Sequence, residues 1–574
     1  MLQYGILKNC SLKPWELFFD KTEGGELSGE SRLTGAEGAR RQVLRISQAK
    51  EQGEYFSQRA VIVLGGFVLC GGAILFFIFR SCRFSAAFNI LRRFFKTMDA
   101  LLKLVQTANA YLSDYILIIL LIGVGLYFTI RTRFVQVRCF GEGMKKVFGG
   151  LSLRGGKNNS GLSSFQALAT AIAAQVGTGN IVGASGAILV GGPGAIFWMW
   201  IIAFLGMATI YAEAVLAQET KIKTESGEVL GGPVYYIKKA FKGGFGKFLA
   251  GFFSVAIILA LGFMGCMVQS NSIAESCNTA FGIPTWVVGI VIALVAAFIF
   301  IGGIQRIASV TEKLVPIMAC LFLIGGLVIL AVNVKAIPDT FGMIFKYAFS
   351  PNALIGGGIG YAIKTAISQG AKRGLFSNEA GMGSTPHAHA QANVEKPHDQ
   401  GVVAMIGVFI DTFVVLTMTA LVVISTLFVN GPLAGADGNT YAGLLEASGI
   451  TKTNAMQTAA SSAFGSFGSI FVAICLLFFA FSTVISWNFF GKINVQYLSK
   501  NSKVATIIYS LIAIVFIFLG TLASNDLVWE LTDFFNYLMV LPNAIALIAL
   551  ASVVSKSAKV GKAAYKESKK NKNK

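Results

Sequence analysis

Residues 169–200 read ATAIAAQVGTGNIVGASGAILVGGPGAIFWMW, and their middle, Val176-Gly177-Thr178-Gly179-Asn180, decides how the rest of the chain is to be understood. The flanks are long apolar runs of the kind that cross a membrane as helix. The middle is made of residues that stop helices. Gly177 and Gly179 each cost a helix about 1 kcal/mol relative to alanine, and the side chains of Thr178 and Asn180 compete for backbone hydrogen bonds. Backbone unwound at membrane depth strands its donors and acceptors away from water, so it persists only where protein, solvent or a ligand supplies partners. The interruption therefore predicts a binding site. Amides at the start of the following half-helix (Gly179, Asn180, Ile181) suit a carboxylate, and carbonyls at the end of the preceding one (Ala173, Val176) suit a cation such as sodium. Close packing of Gly177, Gly179 and Gly183 against a neighbouring helix is the competing explanation on spacing alone. A nucleotide-cradling turn after a strand is disfavoured by the apolar helical runs on both sides.

The chain around this stretch has 574 residues, 54% hydrophobic and 13% charged, with a mean hydropathy of +0.66. Soluble domains do not look like this. The expectation is an all-α polytopic protein of the cell membrane, with the bilayer as its solvent. Apolar stretches near residues 113–134, 165–190, 194–218, 250–275, 284–304, 309–333, 356–390, 401–428, 458–487, 504–522 and 529–553 supply eleven candidate spans. They are long continuous runs and not the short alternating segments of a barrel.

The net charge of +20 is a statement about topology, because the basic residues cluster. Arg131, Arg133, Arg138, Lys145, Lys146, Arg154 and Lys157 share one loop; loops 219–248 and 491–503 and the tail 556–574 are also lysine-rich. Between them lie loops holding Asp437 and Glu446, and Asp526 and Glu530. The positive-inside rule puts the basic segments, the C-terminal tail included, in the cytoplasm, where anionic lipid and not nucleic acid is the expected partner. The eight cysteines show no CxxC pairing and read as small core residues. Of the three histidines, His387 and His389 are spaced to opposite faces of a helix, which argues against a zinc site. No nucleophile, acid/base pair or metal cluster stands out in the apolar segments, so neither an enzyme nor a cofactor is expected.

Residues 1–97 stand apart. An apolar run at 60–79 is followed by Arg80, Arg83, Arg92, Arg93 and Lys96, and a span there would place that cluster outside, against the charge rule. Met98, opening MDALLKLVQTANAYLSDYILIILLIGVGLYF, is the expected initiator; an additional helix or membrane-surface segment is the alternative. N-terminal mass spectrometry separates the two.

A second interruption lies in residues 354–392, too long for one straight crossing at about 1.5 Å per residue. It contains ISQGAKRGLFSNEAGMGSTPHAHA (367–390) and breaks around Phe376-Ser377-Asn378-Glu379-Ala380-Gly381. Both breaks carry Asn, two residues, then Gly. Each falls in the first helix of a five-helix block, 165–333 and 356–553, and an odd number of crossings inverts the second block. Paired interrupted helices in inverted halves point to a secondary transporter with its site near the bilayer midplane. A channel fits this pairing less well.

Six ordered motifs, VGTGNIVG (176–183), GGPGAIFWMW (191–200), GGPVYYI (231–237), RGLFSNEAGMGS (373–384), GVFIDT (407–412) and FAFSTVISW (479–487), together resemble the alanine or glycine:cation symporter family. The resemblance runs from about Met98 to Val554, making 98–555 the transporter domain. It implies a leucine-transporter-like 5+5 inverted repeat with two discontinuous helices, preceded by one extra transmembrane helix. It also implies sodium-driven uptake of a small neutral amino acid, alanine or glycine first, with proton coupling or a glutamine preference as alternatives. By similarity to that fold, Thr178 and Gly179 present amides to the substrate carboxylate and Asn180 offers its side-chain oxygen to sodium or substrate. Phe376, Ser377 and Asn378 line the other side.

Asp411 is a lone carboxylate inside an apolar span and functional by default. With Thr412 it is assigned to cation coordination or pocket polarity, a structural hydrogen bond being the competing role. A second cation position implied by the resemblance maps onto Ala173, Val176, Ala480 and Thr483, with Ser482 nearby; such oxygen ligands suit a hard ion. Intrahelical back-bonding is the competing role for the two hydroxyls. Glu379, with Lys372 and Arg373 just before it, is expected in a local ion pair that eases its burial. Gly191-Gly192-Pro193-Gly194 reads as a tight turn, and Trp198, Trp200 and Trp487 as packing or interfacial anchors.

The chain departs from the family's usual wording at two places. Asn488-Phe489-Phe490-Gly491-Lys492 stands where a serine, two tyrosines, glycine and an acidic residue are frequent, and Gln175 stands where threonine is frequent. Oligomeric state is not legible.

Overall fold

The computed structural model describes residues 62–64, 67–70, 73–76, 102–149, 162–225, 228–301, 303–350, 352–356 and 358–572. The chain divides into two units, 1–99 and 100–574. In the first, the described part of the apolar run at 60–79 is strand: β1 (Ile62–Leu64), β2 (Phe67–Cys70) and β3 (Ala73–Phe76) pair antiparallel, with Ile62 opposite Leu69 and Cys70 opposite Ala73.

The second unit is helical. In chain order its principal helices are α1 (Leu102–Arg131), α2 (Phe140–Phe148), α3 (Ser164–Gln175), α4 (Gly179–Gly191), α5 (Ala195–Thr220) and, after a short hairpin of β4 (Ile222–Lys223) and β5 (Val229–Leu230), α6 (Pro233–Ala240). Then come α7 (Gly243–Phe281), α8 (Thr285–Ile301), α9 (Gly303–Val332), α10 (Ile337–Phe349), α11 (Ile359–Asn378), α12 (Pro386–His389) and α13 (Pro397–Val429). The chain ends with α14 (Tyr441–Ser448), α15 (Ala455–Phe464), α16 (Ser466–Leu498), α17 (Lys503–Gly520), α18 (Asn525–Ala549) and α19 (Ala551–Lys572).

Among the described residues eight helices are long and apolar enough to cross a membrane, and α3 with α4 make a ninth when the bent pair counts as one span. The protein is therefore a multi-pass membrane protein. Each of the eleven expected stretches holds a helix, but two differ in kind: α8 is a shorter apolar helix, and α11 carries Lys364, Lys372 and Arg373. The stretch expected at 458–487 is two helices, α15 and α16, because Gly465 adopts φ +60 and Gly468 passes so close to the Ala460 carbonyl that a Cβ would lie 2.5 Å from its oxygen.

Local chemistry explains the helix ends. Ser163 and Gln166 form a reciprocal capping box that starts α3. Proline occupies the first turn of α6, α10, α12 and α13, where its missing N–H is no loss. Gly282, at φ +68, closes α7. The peripheral helices show how the solvent is read: α17 exposes Val504, Ile507, Ile508, Leu511, Ile512, Val515 and Leu519 on one face and buries Tyr509, Ala513, Ile517 and Gly520 on the other. A continuous outward stripe of branched aliphatic side chains is the pattern of a helix that faces lipid. Polar side chains collect in the middle of the unit, where Thr178, Asn180, Ser377, Asn378, Asp411, Thr412, Ser482 and Thr483 are all buried.

Candidate functional site

The first break follows from the residues that make it. α3 ends at Gln175; Val176 leaves helical geometry with φ −80 and ψ 88; and α4 starts at Gly179, its axis bent by 46° from that of α3. The groups set free by the break find side chains. Gly177 N–H donates to Asn180 Oδ1 at 2.9 Å, and Thr178 N–H donates to Gln269 Oε1 at 3.1 Å, which the Thr178 hydroxyl also reaches. On the other side of the break the Ala173 carbonyl accepts from Thr483 Oγ1 at 2.8 Å and Ser482 Oγ at 3.4 Å. The carbonyl end of α3 and the hydroxyls of α16 thus meet, and Ala480 is buried one helical turn from Thr483. Both hydroxyls also bond back to Phe479 O, so the back-bonding role and the inter-helix role are filled together.

The second break is a turn and not a second half-helix. α11 stops at Asn378, Glu379 takes φ +57, Gly381 and Gly383 take φ +96 and +78, and the chain resumes only in the single turn of α12. Non-glycine residues rarely hold such a φ; here surrounding partners over-determine it. Glu213 of α5 accepts from the amides of Gly381 at 3.2 Å and Gly383 at 2.9 Å, and Asn543 of α18 donates to the same carboxylate at 2.6 Å and to Gly381 O at 2.9 Å.

The expected local ion pair at Glu379 does not form. The left-handed backbone turns its carboxylate away from α11 and toward α16, where Trp487 Nε1 donates at 2.5 Å, and Ser384 Oγ donates as well. Lys372 pairs instead with Asp114 at 3.4 Å, and Arg373 with Asp533 at 2.8 Å while lying over the Trp529 ring at 4.6 Å.

The two breaks touch at Gly179. A Cβ there would sit 3.0 Å from Phe376 Cδ1 and 3.1 Å from Ser377 Cα, so glycine is what lets the segments close on each other. Phe376 packs against Trp529 (centroids 4.7 Å apart) and edge-on to Trp487 (5.7 Å). Gln175 ties the breaks directly, its Nε2 donating to Asn378 O at 2.7 Å.

At the junction stands Asp411, in a π-helical turn of α13 (Phe409–Leu416), a local widening that often marks a functional position. Asn180 Nδ2 donates to its Oδ1 at 2.6 Å and to its backbone carbonyl at 3.2 Å; Ser377 Oγ reaches Oδ2 at 2.9 Å; Thr412 Oγ1 donates to Oδ2 at 2.8 Å. Asn378 Nδ2 reaches Thr412 Oγ1 at 3.4 Å. Every one of these donors is neutral, and Asp411 is fully buried without an ion pair among the described residues. A buried carboxylate held this way is hydrogen-bonded but not charge-compensated, and a small cation is what would complete it.

The structure thus joins Thr178, Gly179, Asn180, Phe376, Ser377, Asn378, Asp411 and Thr412 in one cluster and Ala173, Ser482 and Thr483 in an adjoining one. Val176 caps α3 between them, its N–H bonded to Ile172 O. The Asn180 oxygen faces the Gly177 amide of its own break; its amide nitrogen is what serves Asp411. Gln269, Glu213 and Asn543 carry no expectation from the sequence, and Gln175 carries only its departure from the family's usual threonine. Gln269 opens the run Gln269-Ser270-Asn271-Ser272 inside an apolar helix, and Glu213 is the one carboxylate in the apolar stretch 194–218, so the rule that singled out Asp411 applies to Glu213 equally. Gln175 Oε1 and Gln269 Nε2 are buried without a hydrogen-bond partner.

Comparison with known proteins identifies the family of the chain. A family model described as "Sodium:alanine symporter family" matches residues 98–574. The chain is 41% identical over 474 residues to "Sodium/alanine symporter AgcS" of Methanococcus maripaludis, covering 82% of this chain and 98% of that protein. It is 38% identical over 447 residues to "Amino-acid carrier protein AlsT" of Bacillus subtilis (77% of this chain, 89% of that one). It is likewise 38% identical over 451 residues to "Probable sodium/glutamine symporter GlnT" of the same organism (79% and 88%).

Proposed function

The chain belongs to the sodium:alanine symporter family, and from that premise we propose that it couples the inward sodium gradient to uptake of a small neutral amino acid, alanine or glycine, by alternating access. It is a transporter and not an enzyme, and sodium is its co-transported ion. The carrying observation is the uncompensated Asp411 carboxylate, gripped by neutral donors from both breaks.

In this reading one sodium neutralises Asp411 among Asn180, Ser377 and Thr412. A second lies where the Ala173 carbonyl meets α16, with the carbonyls of Val176 and Ala480 as further ligands; the hydroxyl oxygens of Ser482 and Thr483 turn from donating to Ala173 to ligating the ion. The substrate carboxylate takes the amides of Thr178 and Gly179, replacing the Gln269 oxygen that Thr178 now holds. Phe376 and Asn378 close the far side, and the short reach between Gly179 and Ser377 favours a substrate with a small side chain. A 5+5 inverted repeat, 165–333 and 356–553, with α1 outside it, accounts for two breaks at matching places and for a site shared by both halves. The basic segments, the tail included, lie on the cytoplasmic side.

Reconstitution tests this. Alanine uptake into proteoliposomes is measured under sodium and proton gradients imposed separately. Accumulation driven by sodium alone is expected; accumulation driven by protons alone would transfer the coupling role of Asp411 to a proton, and glutamine outcompeting alanine would change the substrate.

A further inference from the structure

Away from the breaks, three residues that no part of the transport site uses converge in the second unit: Cys139, just before α2; Glu142, within it; and His398, in the first turn of α13. All three are buried, and their ligand atoms lie within 4.8 Å of one another. His398 Nε2 and Glu142 Oε1 are 3.3 Å apart, yet neither makes a hydrogen bond. The pair is an ion pair only when the imidazole is protonated; beside a neutral imidazole the buried carboxylate is costly unless a cation joins the two atoms.

The surroundings prepare the imidazole. His398 Nδ1 and the Tyr211 hydroxyl are 2.7 Å apart, leaving Nε2 as the nitrogen that faces the cluster, and such an outer partner is how a metal-ligating histidine is held. Behind the ring, Gly561 of α19 packs so tightly that a Cβ would come within 2.1 Å of His398 Cγ. Asp399, the next residue, is taken by Lys146 at 3.1 Å, which leaves Glu142 as the acid of the group. Ligands about 2.0 to 2.3 Å from a tetrahedral zinc stand roughly 3.3 to 3.8 Å from each other. The Nε2 to Oε1 separation already meets this, and the sulfur, within 4.8 Å of both, has at most about 1 Å to travel.

We propose that Cys139 Sγ, Glu142 Oε1 and His398 Nε2 form a binding site for a borderline divalent cation of the zinc class, with water in the fourth position. The set of one sulfur, one nitrogen and one oxygen selects zinc over the hard ions, and binding releases the thiol proton to solvent. An occupied site ties the Cys139–Glu142 segment to the start of α13, with α19 as its back wall.

The full chain, purified in detergent and stripped with chelator, is titrated with zinc against a chromophoric competitor and separately with cobalt. One equivalent of tightly held zinc and a thiolate-to-cobalt charge-transfer band, bleached by zinc, are expected. Cys139→Ser and His398→Gln should each weaken zinc binding by about 100-fold or more, and Gly561→Ala, whose methyl group would push on the His398 ring from behind, by at least about tenfold. Cys320→Ser, at an exposed cysteine, should change nothing. Should the ligand variants fail to fold, the cobalt band of the unaltered chain decides by itself. Absence of that band, or zinc affinity unchanged in Cys139→Ser, overturns the site and leaves His398 and Glu142 as a proton-bridged pair.

Discussion

Replacing Asp411 by asparagine keeps the shape of the side chain and one acceptor oxygen while removing its charge. Among the described residues that charge is met only by Asn180, Ser377 and Thr412. If a sodium ion supplies the missing positive charge, the lost attraction is about 4 kcal/mol for unit charges some 4 Å apart at an effective dielectric constant near 20. At 1.36 kcal/mol per decade this is about three orders of magnitude in sodium affinity. The variant should thus show no saturable sodium dependence of alanine uptake in the range where the unaltered protein saturates. The uncompensated charge also sets the sign of a stability effect. A buried charge without a counter-ion destabilises the sodium-free protein, so Asp411→Asn should melt at or above the unaltered protein without sodium and gain little when sodium is added. Thermal unfolding in detergent with sodium or choline chloride reads this out. A variant that keeps its sodium half-saturation, or that is stabilised by sodium as much as the unaltered protein, would refute the reasoning, because Asp411 would then be a structural hydrogen-bond acceptor and no more.

Asn180→Ala deprives both the Gly177 amide and the Asp411 carboxylate of a partner; transport should vanish while the gel-filtration profile in detergent stays monodisperse, and uptake at the unaltered rate would reduce Asn180 to packing. Gly179→Ala drives a methyl group into Phe376 and Ser377, so the breaks cannot close and uptake should fall by at least about tenfold, the overpacking cost being about 1–3 kcal/mol. Thr483→Val removes the hydroxyl that reaches Ala173 O; a hydrogen bond to a charged or ion-bound group is worth about 1.5–3 kcal/mol, so sodium half-saturation should rise roughly tenfold to a hundredfold in the same assay. Trp487→Phe leaves Glu379 with Ser384 alone, and a loss of roughly 1–3 kcal/mol in unfolding stability should follow, measured by denaturant titration.

Particular residues show how much was legible in advance. The helix interruption at Gly177-Thr178-Gly179-Asn180 was readable because glycine at membrane depth contradicts the apolar helices around it, and the structure bends there by 46°. Asp411 was readable because a carboxylate in an apolar run is costly wherever its partners are. The second break was located by the same Gly-rich wording, but its form was not: the turn after Asn378 is held open by Glu213, 168 residues before Gly381, and Asn543, 162 after it. The ion pair expected beside Glu379 failed for a related reason. Sequence proximity brought Lys372 and Arg373 near in register, yet the positive φ of Glu379 sent its carboxylate to Trp487 and left the two cations to Asp114 and Asp533. The histidine spacing bears on His387 and His389 alone and is silent on His398, whose neighbours Cys139 and Glu142 come from another part of the chain.

Composition and local wording alone therefore determined that this is a helical membrane protein, where its helices fail, and which few polar residues sit where lipid-like surroundings make them expensive. Those are one-dimensional facts, set by the bilayer's intolerance of bare backbone and bare charge. Which polar group answers which was decided only by tertiary packing: Gln269 on Thr178, Gln175 across to Asn378, Glu213 under Gly381 and Gly383, Thr483 on Ala173. A hydrogen bond needs its two atoms within about 3 Å, and no periodicity along the chain carries that distance between groups 91 to 310 residues apart.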